Sequence, residues 1–534
     1  MTALAGTGTL VRLILRRDRF LLSLWVVYLG IIPAALTAAL VELFPTRADR
    51  LAYAAGTASS SSFVALFGPV FGSSAGALGT QRAGIVLPLA GLFSLLTVIR
   101  HTRTEEETGR RELLGSSVVG RHTPLSAVLL VVFGANLMLG ALTAAGLLLA
   151  DLPAGGALAF GLVVAAAGWV FAAVGAVAAQ LTQAVGAARG IAVSALGVAV
   201  LLRAAGDVAG SPHDGSWLSW LSSIGWLQRV RPFAGERWWL LVPAVAVVLV
   251  LAAAAYALAS RRDLAAGVLP SRPGAAAAAQ RLRSPLALAW RLHRGSLAGW
   301  AAGFAVGGAV LGGVADAAGQ AMRDSPELQD LIARVGGGSP RSDAYLAAVT
   351  SIFGLAAAAY AILAALRPRS EETALRAEPV LATAVGRLPW ATSHLAFTLL
   401  GPAVALGAFG LAAGLTSGLS SGDVSHQLPR LLVAALVQLP AVWALGAVAA
   451  ALFGLYPRRT PASWGALGAC LLLGQLGAIL RLDQWLLDLS PFTHVPRLPG
   501  AELSVTPLVW LLACAAVLTA AGLAGFRRRD TPVP

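Results

Sequence analysis

Apolar residues along this chain gather in runs of roughly 20, the length a helix needs to cross hydrocarbon. They form neither alternating nor narrow helical stripes. In the first half the runs lie near 21–44, 84–99, 125–150, 157–179, 191–205 and 238–258; in the second, near 297–315, 345–366, 391–415, 431–455, 462–479 and 506–526. Arginines or Gly/Pro/Ser clusters bound them. Backbone polar groups inside a bilayer must be satisfied within the segment itself, and the ten-residue alternation of a membrane barrel is missing from the pattern. The pattern therefore predicts an all-α polytopic membrane protein of about twelve transmembrane helices. The run 21–44 is too long for a secretory h-region, which spans about 7–15 residues, so it reads as a retained first span.

Composition agrees. The chain is 57% hydrophobic and 12% charged, against roughly 25% charged in soluble proteins, and its mean hydropathy is +0.76. Disordered, collagen-like and disulfide-rich classes are excluded. Cys470 and Cys514 sit in apolar runs without metal-ligand or redox spacing. The 39 basic residues are all arginine, against 25 acids. They flank spans, so no nucleic-acid partner is implied. With both termini cytoplasmic, 26 of the 39 fall inside, as the positive-inside rule asks; the chain reads as a multi-pass protein of the cell (plasma) membrane. The outer side then carries Trp217, Trp220, Trp226, Trp238 and Trp239, residues suited to a headgroup interface. The short apolar stretch 63–71 reads as interfacial or re-entrant.

The sequence also repeats itself. Trp25 matches Trp300 at an offset of 275, which places Arg16 on Arg291 and Arg19 on Arg294. Glu106-Glu107-Thr108 matches Glu371-Glu372-Thr373 at 265, and Val119-Gly120-Arg121 matches Val385-Gly386-Arg387 at 266, with one inserted residue between them. With Ser222 matching Ser490 at 268, four such matches in order predict two tandem six-helix halves, 1–260 and 284–534, joined by a cytoplasmic linker at 261–283.

Two recurring motifs stand out. Ahead of spans one and seven, Arg12, Arg16 and Arg19, and then Arg291 and Arg294, interleave with apolar residues. These read as interfacial amphipathic helices facing anionic lipid. After spans two and eight come loops of mixed charge. The first holds Glu106, Glu107, Arg111 and Glu112; the second holds Glu371, Glu372, Arg376 and Glu378. Acids and bases four apart on a short helix make a rigid exposed element suited to docking another protein. Paired-carboxylate catalysis does not fit, because the interleaved arginines hold the acids ionised. Few titratable residues fall inside the spans, which argues against an ion relay. A phosphate-binding loop needs a lysine, and this chain has none.

The loop from Glu106-Glu107-Thr108-Gly109 through Glu112-Leu113-Leu114, the amphipathic openings and the Ser222–Trp226 stretch resemble an ABC-2 type ABC exporter permease. The duplicated layout is similar to the actinobacterial exporters of polyketide antibiotics, the tetronasin-type permeases. That resemblance implies a transporter subunit rather than an enzyme. It implies two copies of a separate ABC ATP-binding subunit holding ATP and magnesium, membrane lipid around the chain, and a hydrophobic small-molecule cargo. No cofactor is expected in this chain. Glu106, Glu107, Glu112, Glu371, Glu372 and Glu378 become candidate coupling residues, with Ala374 standing where the first loop has Gly109. A gradient-driven twelve-span facilitator is the alternative: Gly109-Arg110-Arg111 superficially matches its loop signature, without the Asp-Arg expected ahead of it. A membrane-embedded lipid transferase would need clustered Asp, His or Glu, and the seven histidines are scattered.

Overall fold

The computed structural model describes residues 4–529 except 60, 111, 113–118, 210–215, 264–265, 270–276, 278, 280–281, 324–340 and 477–482. Its regular elements are all helices among the described residues, and the chain divides into two compact units, Met1–Gly274 and Ala275–Pro534. This is an all-α polytopic membrane protein.

The first unit holds α1 (Thr7–Leu43), α2 (Ala75–Glu107), α3 (Thr123–Leu149), α4 (Ala154–Leu181), α5 (Val185–Ala209) and α6 (Trp238–Arg261). Short helices Arg47–Ser59 and Ser61–Phe67 connect α1 to α2. The centre is α4, which packs on α2, α3 and α6. Its sequence explains this: alanine and glycine recur on every face, and Ala157, Gly161, Ala165, Gly168, Ala172 and Ala176 are all buried. Small residues let helices approach closely in lipid, where van der Waals packing replaces the hydrophobic effect as the driving force.

The second unit holds α7 (Pro285–Arg323), α8 (Leu346–Thr373), α9 (Arg387–Ser421), α10 (Val424–Leu455), α11 (Ala462–Leu476) and α12 (Val505–Arg528). Here α9 packs on α7, α8 and α10. Gly422 turns the chain between α9 and α10 at φ +78°. Gly410, Gly414 and Gly418 then lie against the backbone of Leu432, Leu428 and Val424, where a β-carbon would stand 2.8 Å or less away.

Eleven helices among the described residues are long and apolar enough to span a membrane, against about twelve expected. The difference is α11, which is 15 residues long; residues 477–479 of the same apolar run lie outside the described set. Large apolar side chains point outward, among them Leu24 and Ile31 of α1, Leu249 and Val250 of α6, and Val509 and Val517 of α12. A surface this greasy belongs against lipid.

One expectation is corrected. The arginine-bearing segments at 11–20 and 285–294 are not separate interfacial helices. Each is the opening of one long helix, 37 residues in α1 and 39 in α7. From Leu10 to Leu29 there is neither glycine nor proline, so nothing interrupts the ladder between the basic segment and the apolar run. Arg12, Arg16 and Arg19 remain exposed, as do Arg291 and Arg294.

Candidate functional site

The mixed-charge loops fold as elbows at the ends of α2 and α8. In the first, α2 passes through a π-helical turn, Arg100–Thr104, into Glu105–Glu107. Such turns widen the helix by one residue and re-aim side chains. Gly109, at φ +71°, then turns the chain away.

The sequence reading places this loop on an exposed face. The structure instead buries Glu106 at 7% exposure, and Arg103 at 1%. The Glu106 carboxylate pairs with Arg103 and accepts from both Arg262 Nη2 at 2.7 Å and Arg262 Nη1 at 2.9 Å. Arg262 is the first residue past α6. Its Nε donates to Gln180 Oε1 at 2.7 Å, and its Nη1 to the Ala266 carbonyl at 2.9 Å, which also receives Arg103 Nη2 at 2.8 Å. Val268 and Leu269 donate backbone N–H groups to the carbonyls of Gln180 and Leu181, the last residues of α4, at 3.1 and 2.9 Å. The strap 266–269 therefore lies across the ends of α2 and α4. Desolvation pulls the Arg262 guanidinium below its ordinary pKa, the cost of seating the ion pair out of water.

The neighbouring carboxylates make other connections. Exposed Glu107 accepts the Val185 backbone N–H at 3.2 Å, capping the first residue of α5. Glu105 reaches Arg17 of α1 at 2.5 Å and Arg110 at 3.7 Å. Glu112 is exposed, and Arg111 lies outside the described residues.

In the second elbow, Pro368 sits in the first turn of the short helix Arg367–Thr373, a position where its missing N–H does no harm. Glu371 and Glu372 are buried at 6% and 8% exposure. Glu371 pairs with Arg367 at 3.0 Å and Arg376 at 2.9 Å. Glu372 pairs with Arg369 at 3.5 Å and with Arg529, just past α12, at 2.6 Å. Glu378 is exposed.

These partners correct the internal register. Arg103 corresponds to Arg369, Glu105 to Glu371, Glu106 to Glu372, Gly109 to Leu375 and Arg110 to Arg376, always 266 residues apart. No residue is inserted before Arg387, and the counterpart of Gly109 is Leu375, also left-handed at φ +55°, rather than Ala374. The offset of 265 arose because adjacent glutamates look alike in either register.

Buried titratable groups also exceed the sequence expectation. Asp18 of α1, at 1% exposure, accepts from His101 Nε2 at 2.5 Å and Arg100 Nη2 at 2.9 Å. In the second unit, His293 of α7 meets His394 of α9 at 3.0 Å, with Phe397 stacked on the first imidazole. Asp18 and His293 escape the sequence reading because they fall in the amphipathic segments and His101 because it falls in the loop after the second span, whereas His394 lies inside the run 391–415. Arg262 and Arg529 were missed for a different reason: their carboxylate partners are 156 and 157 positions away. Their only local signal is an arginine immediately following the sixth span of each half.

At the tryptophan-bearing end of the first unit, Trp217, Trp220, Trp238 and Trp239 are exposed, and Trp226 is half-buried, donating to the Trp220 carbonyl at 2.5 Å. Behind them Asp207 accepts from Arg229 and Ser219 at 2.8 and 2.7 Å, with Arg203 at 3.8 Å. Arg203 also donates to the carbonyls of Val64 and Leu66, so the 63–71 stretch is tied to α5. A cavity of about 40 Å³ beside it is lined by Phe67, Phe71, Gln81, Phe160, Gln228 and Arg231. That holds a water or two, well short of a drug-sized pocket of roughly 300–1,000 Å³.

Residues 282–527 match the family model described as "Multidrug efflux system permease Rv1217c, C-terminal domain". Over 526 residues the chain is 46% identical to the multidrug efflux system permease protein Rv1217c of Mycobacterium tuberculosis (strain ATCC 25618 / H37Rv). The alignment covers 98% of this chain and 95% of that protein.

Proposed function

We propose a mechanism for this chain on one premise: it belongs to the family of multidrug efflux system permeases. It acts as the membrane-spanning subunit of an ABC exporter that moves a hydrophobic compound, such as a polyketide antibiotic, drug or lipid-like molecule, out of the cell. ATP and magnesium are held by a separate ATP-binding subunit, present in two copies, one beneath each elbow. Both termini and both elbows lie on the cytoplasmic side.

The observation that carries this reading is the pair of elbows. Each has a buried glutamate anchored to the helix bundle and an exposed carboxylate beyond it, Glu112 in the first and Glu378 in the second. A docking surface needs both, an anchor that moves with the helices and a face a partner can touch. The absence of lysine from the chain removes the usual phosphate-binding loop, so fuel is burned elsewhere. Closure of the ATP-binding subunits would then tilt each elbow and repack the helices as rigid bodies.

A second reading draws support from buried Asp18, His101, His293 and His394: a gradient-driven carrier using them as a proton path. One experiment separates the two. The permease is co-expressed with its neighbouring ATP-binding subunit, purified and reconstituted. ATP hydrolysis that appears only with both chains, and drops in the Glu112→Arg, Glu378→Arg double variant, supports the exporter. Efflux that collapses with a protonophore while ATP is held constant overturns it in favour of the carrier.

A further inference from the structure

The exposed carboxylates explain how a partner could touch an elbow, but not how an elbow moves anything. In both units the element that closes this gap is the arginine directly after the sixth helix. Arg262 extends α6 and grips Glu106; Arg529 extends α12 and grips Glu372. Each glutamate is also held by the arginine three residues before it, Arg103 or Arg369. The carboxylate therefore joins the end of one helix to the end of another that is adjacent in space and remote in sequence.

We propose that Arg262 and Arg529 are positioning residues for transmission: through Glu106 and Glu372 they make α6 and α12 follow the elbows when the ATP-binding subunits close. This rests on the exporter reading above and names the path by which it works. A buried, multiply bonded ion pair suits the task. Parting the helix ends would leave the buried Arg262 guanidinium without its carboxylate, so they separate only at high cost and move together.

The two clasps are unequal. The first is reinforced by Gln180 at the end of α4, by the 266–269 strap and by the Glu107 cap on α5, so one elbow holds α4, α5 and α6. In the second, Thr373 stands in place of Glu107, and its hydroxyl donates to carbonyls of its own turn, Arg369 and Ser370. What Arg529 adds there is stacking over Phe453 and Phe526, at 4.7 and 5.1 Å. Breaking the first clasp should therefore disturb transmission more than breaking the second.

The test uses the full chain reconstituted with its ATP-binding subunit. Cys470 and Cys514 are replaced by alanine, and a spin label is attached at Ser260→Cys, the exposed penultimate residue of α6. With Arg262 intact, trapping with ADP and vanadate changes the label's spectrum. In Arg262→Ala that change shrinks by roughly tenfold, while ATP hydrolysis and thermal stability fall much less, and Arg262→Lys restores it. If Arg262→Ala does not fold, Arg262→Gln decides, since its amide nitrogen stands near the Nε position and keeps a donor for Gln180 Oε1 while the charge and the two Nη groups that reach Glu106 are lost. A full vanadate response in the folded alanine or glutamine variant overturns the proposal. So does a loss of response that merely tracks equal losses of stability and hydrolysis. A complex with Arg262 intact that hydrolyses no ATP instead overturns the exporter reading on which the proposal stands.

Discussion

Gly140 of α3 and Gly161 of α4 face each other so closely that a β-carbon on either would stand 2.4 Å from the other's carbonyl oxygen. Neither backbone can yield without separating the helices. Gly140→Val should destabilise the chain by about 1–3 kcal/mol through overpacking. Gly134, on the same helix, has nothing within 4 Å of its β-position, so Gly134→Ala should be neutral or stabilise by up to about 1 kcal/mol. Thermal unfolding in detergent compares the two, and equal effects would contradict the close approach.

Asp207 pairs with both buried Arg203 and buried Arg229. Asp207→Ala removes a carboxylate shared by two buried guanidinium groups and should cost about 3–5 kcal/mol. Asp207→Asn keeps the acceptor for Ser219 and should recover part of the loss. A variant as stable as the parent, by the same unfolding assay, would remove this cluster from the account of how the 63–71 stretch is held.

Asp423 caps α10, accepting from the Ser425 hydroxyl at 2.9 Å and the His426 N–H at 3.1 Å. These bonds hold its carboxyl below its usual pKa. A depressed folded-state value means the cap's ionic contribution is present above the unfolded carboxylate pKa and is lost as the pH falls through the folded one. The stability difference between parent and Asp423→Ala should therefore be steady near neutrality and narrow in acid. A difference that widens on acidification would reverse the sign and refute the assignment.

Asp18 tests the source of energy. The exporter reading expects Asp18→Asn to lower stability, because His101 and Arg100 lose their anion, while ATP-driven efflux stays insensitive to a proton gradient. Efflux measured in vesicles at matched ATP, with and without a pH difference, reads this directly. A variant that folds normally but has lost a gradient dependence present in the parent would favour the carrier.

The broad architecture was legible because the bilayer imposes one strong rule, a long apolar run per span. The run 21–44 and the run 157–179 both became helices at the expected places. The burial of Glu106 was illegible for the opposite reason. A charged loop reads as solvated unless its partner is visible, and Arg262 lies 156 residues away. The join between the arginine segment and α1 was misread because amphipathicity describes a surface and says nothing about where a helix ends. Only a breaker could have marked that end, and the sequence has none there. At the elbows, the doubled glutamate hid the true register until ion partners distinguished one acid from the next.

Consider finally the unbroken α1. At about 1.5 Å per residue its 37 residues extend some 55 Å, while the hydrocarbon is about 30 Å thick. The apolar run 21–44 fills that layer, so the opening turns of the rod, residues 7–20, stand clear of it and are held there by Asp18. These turns are seated on the bundle: Leu10 and Ile14 are buried, and the Ala5 carbonyl just ahead of them receives the Gly120 N–H at 3.0 Å, so a tilt of the immersed portion is carried into that seat.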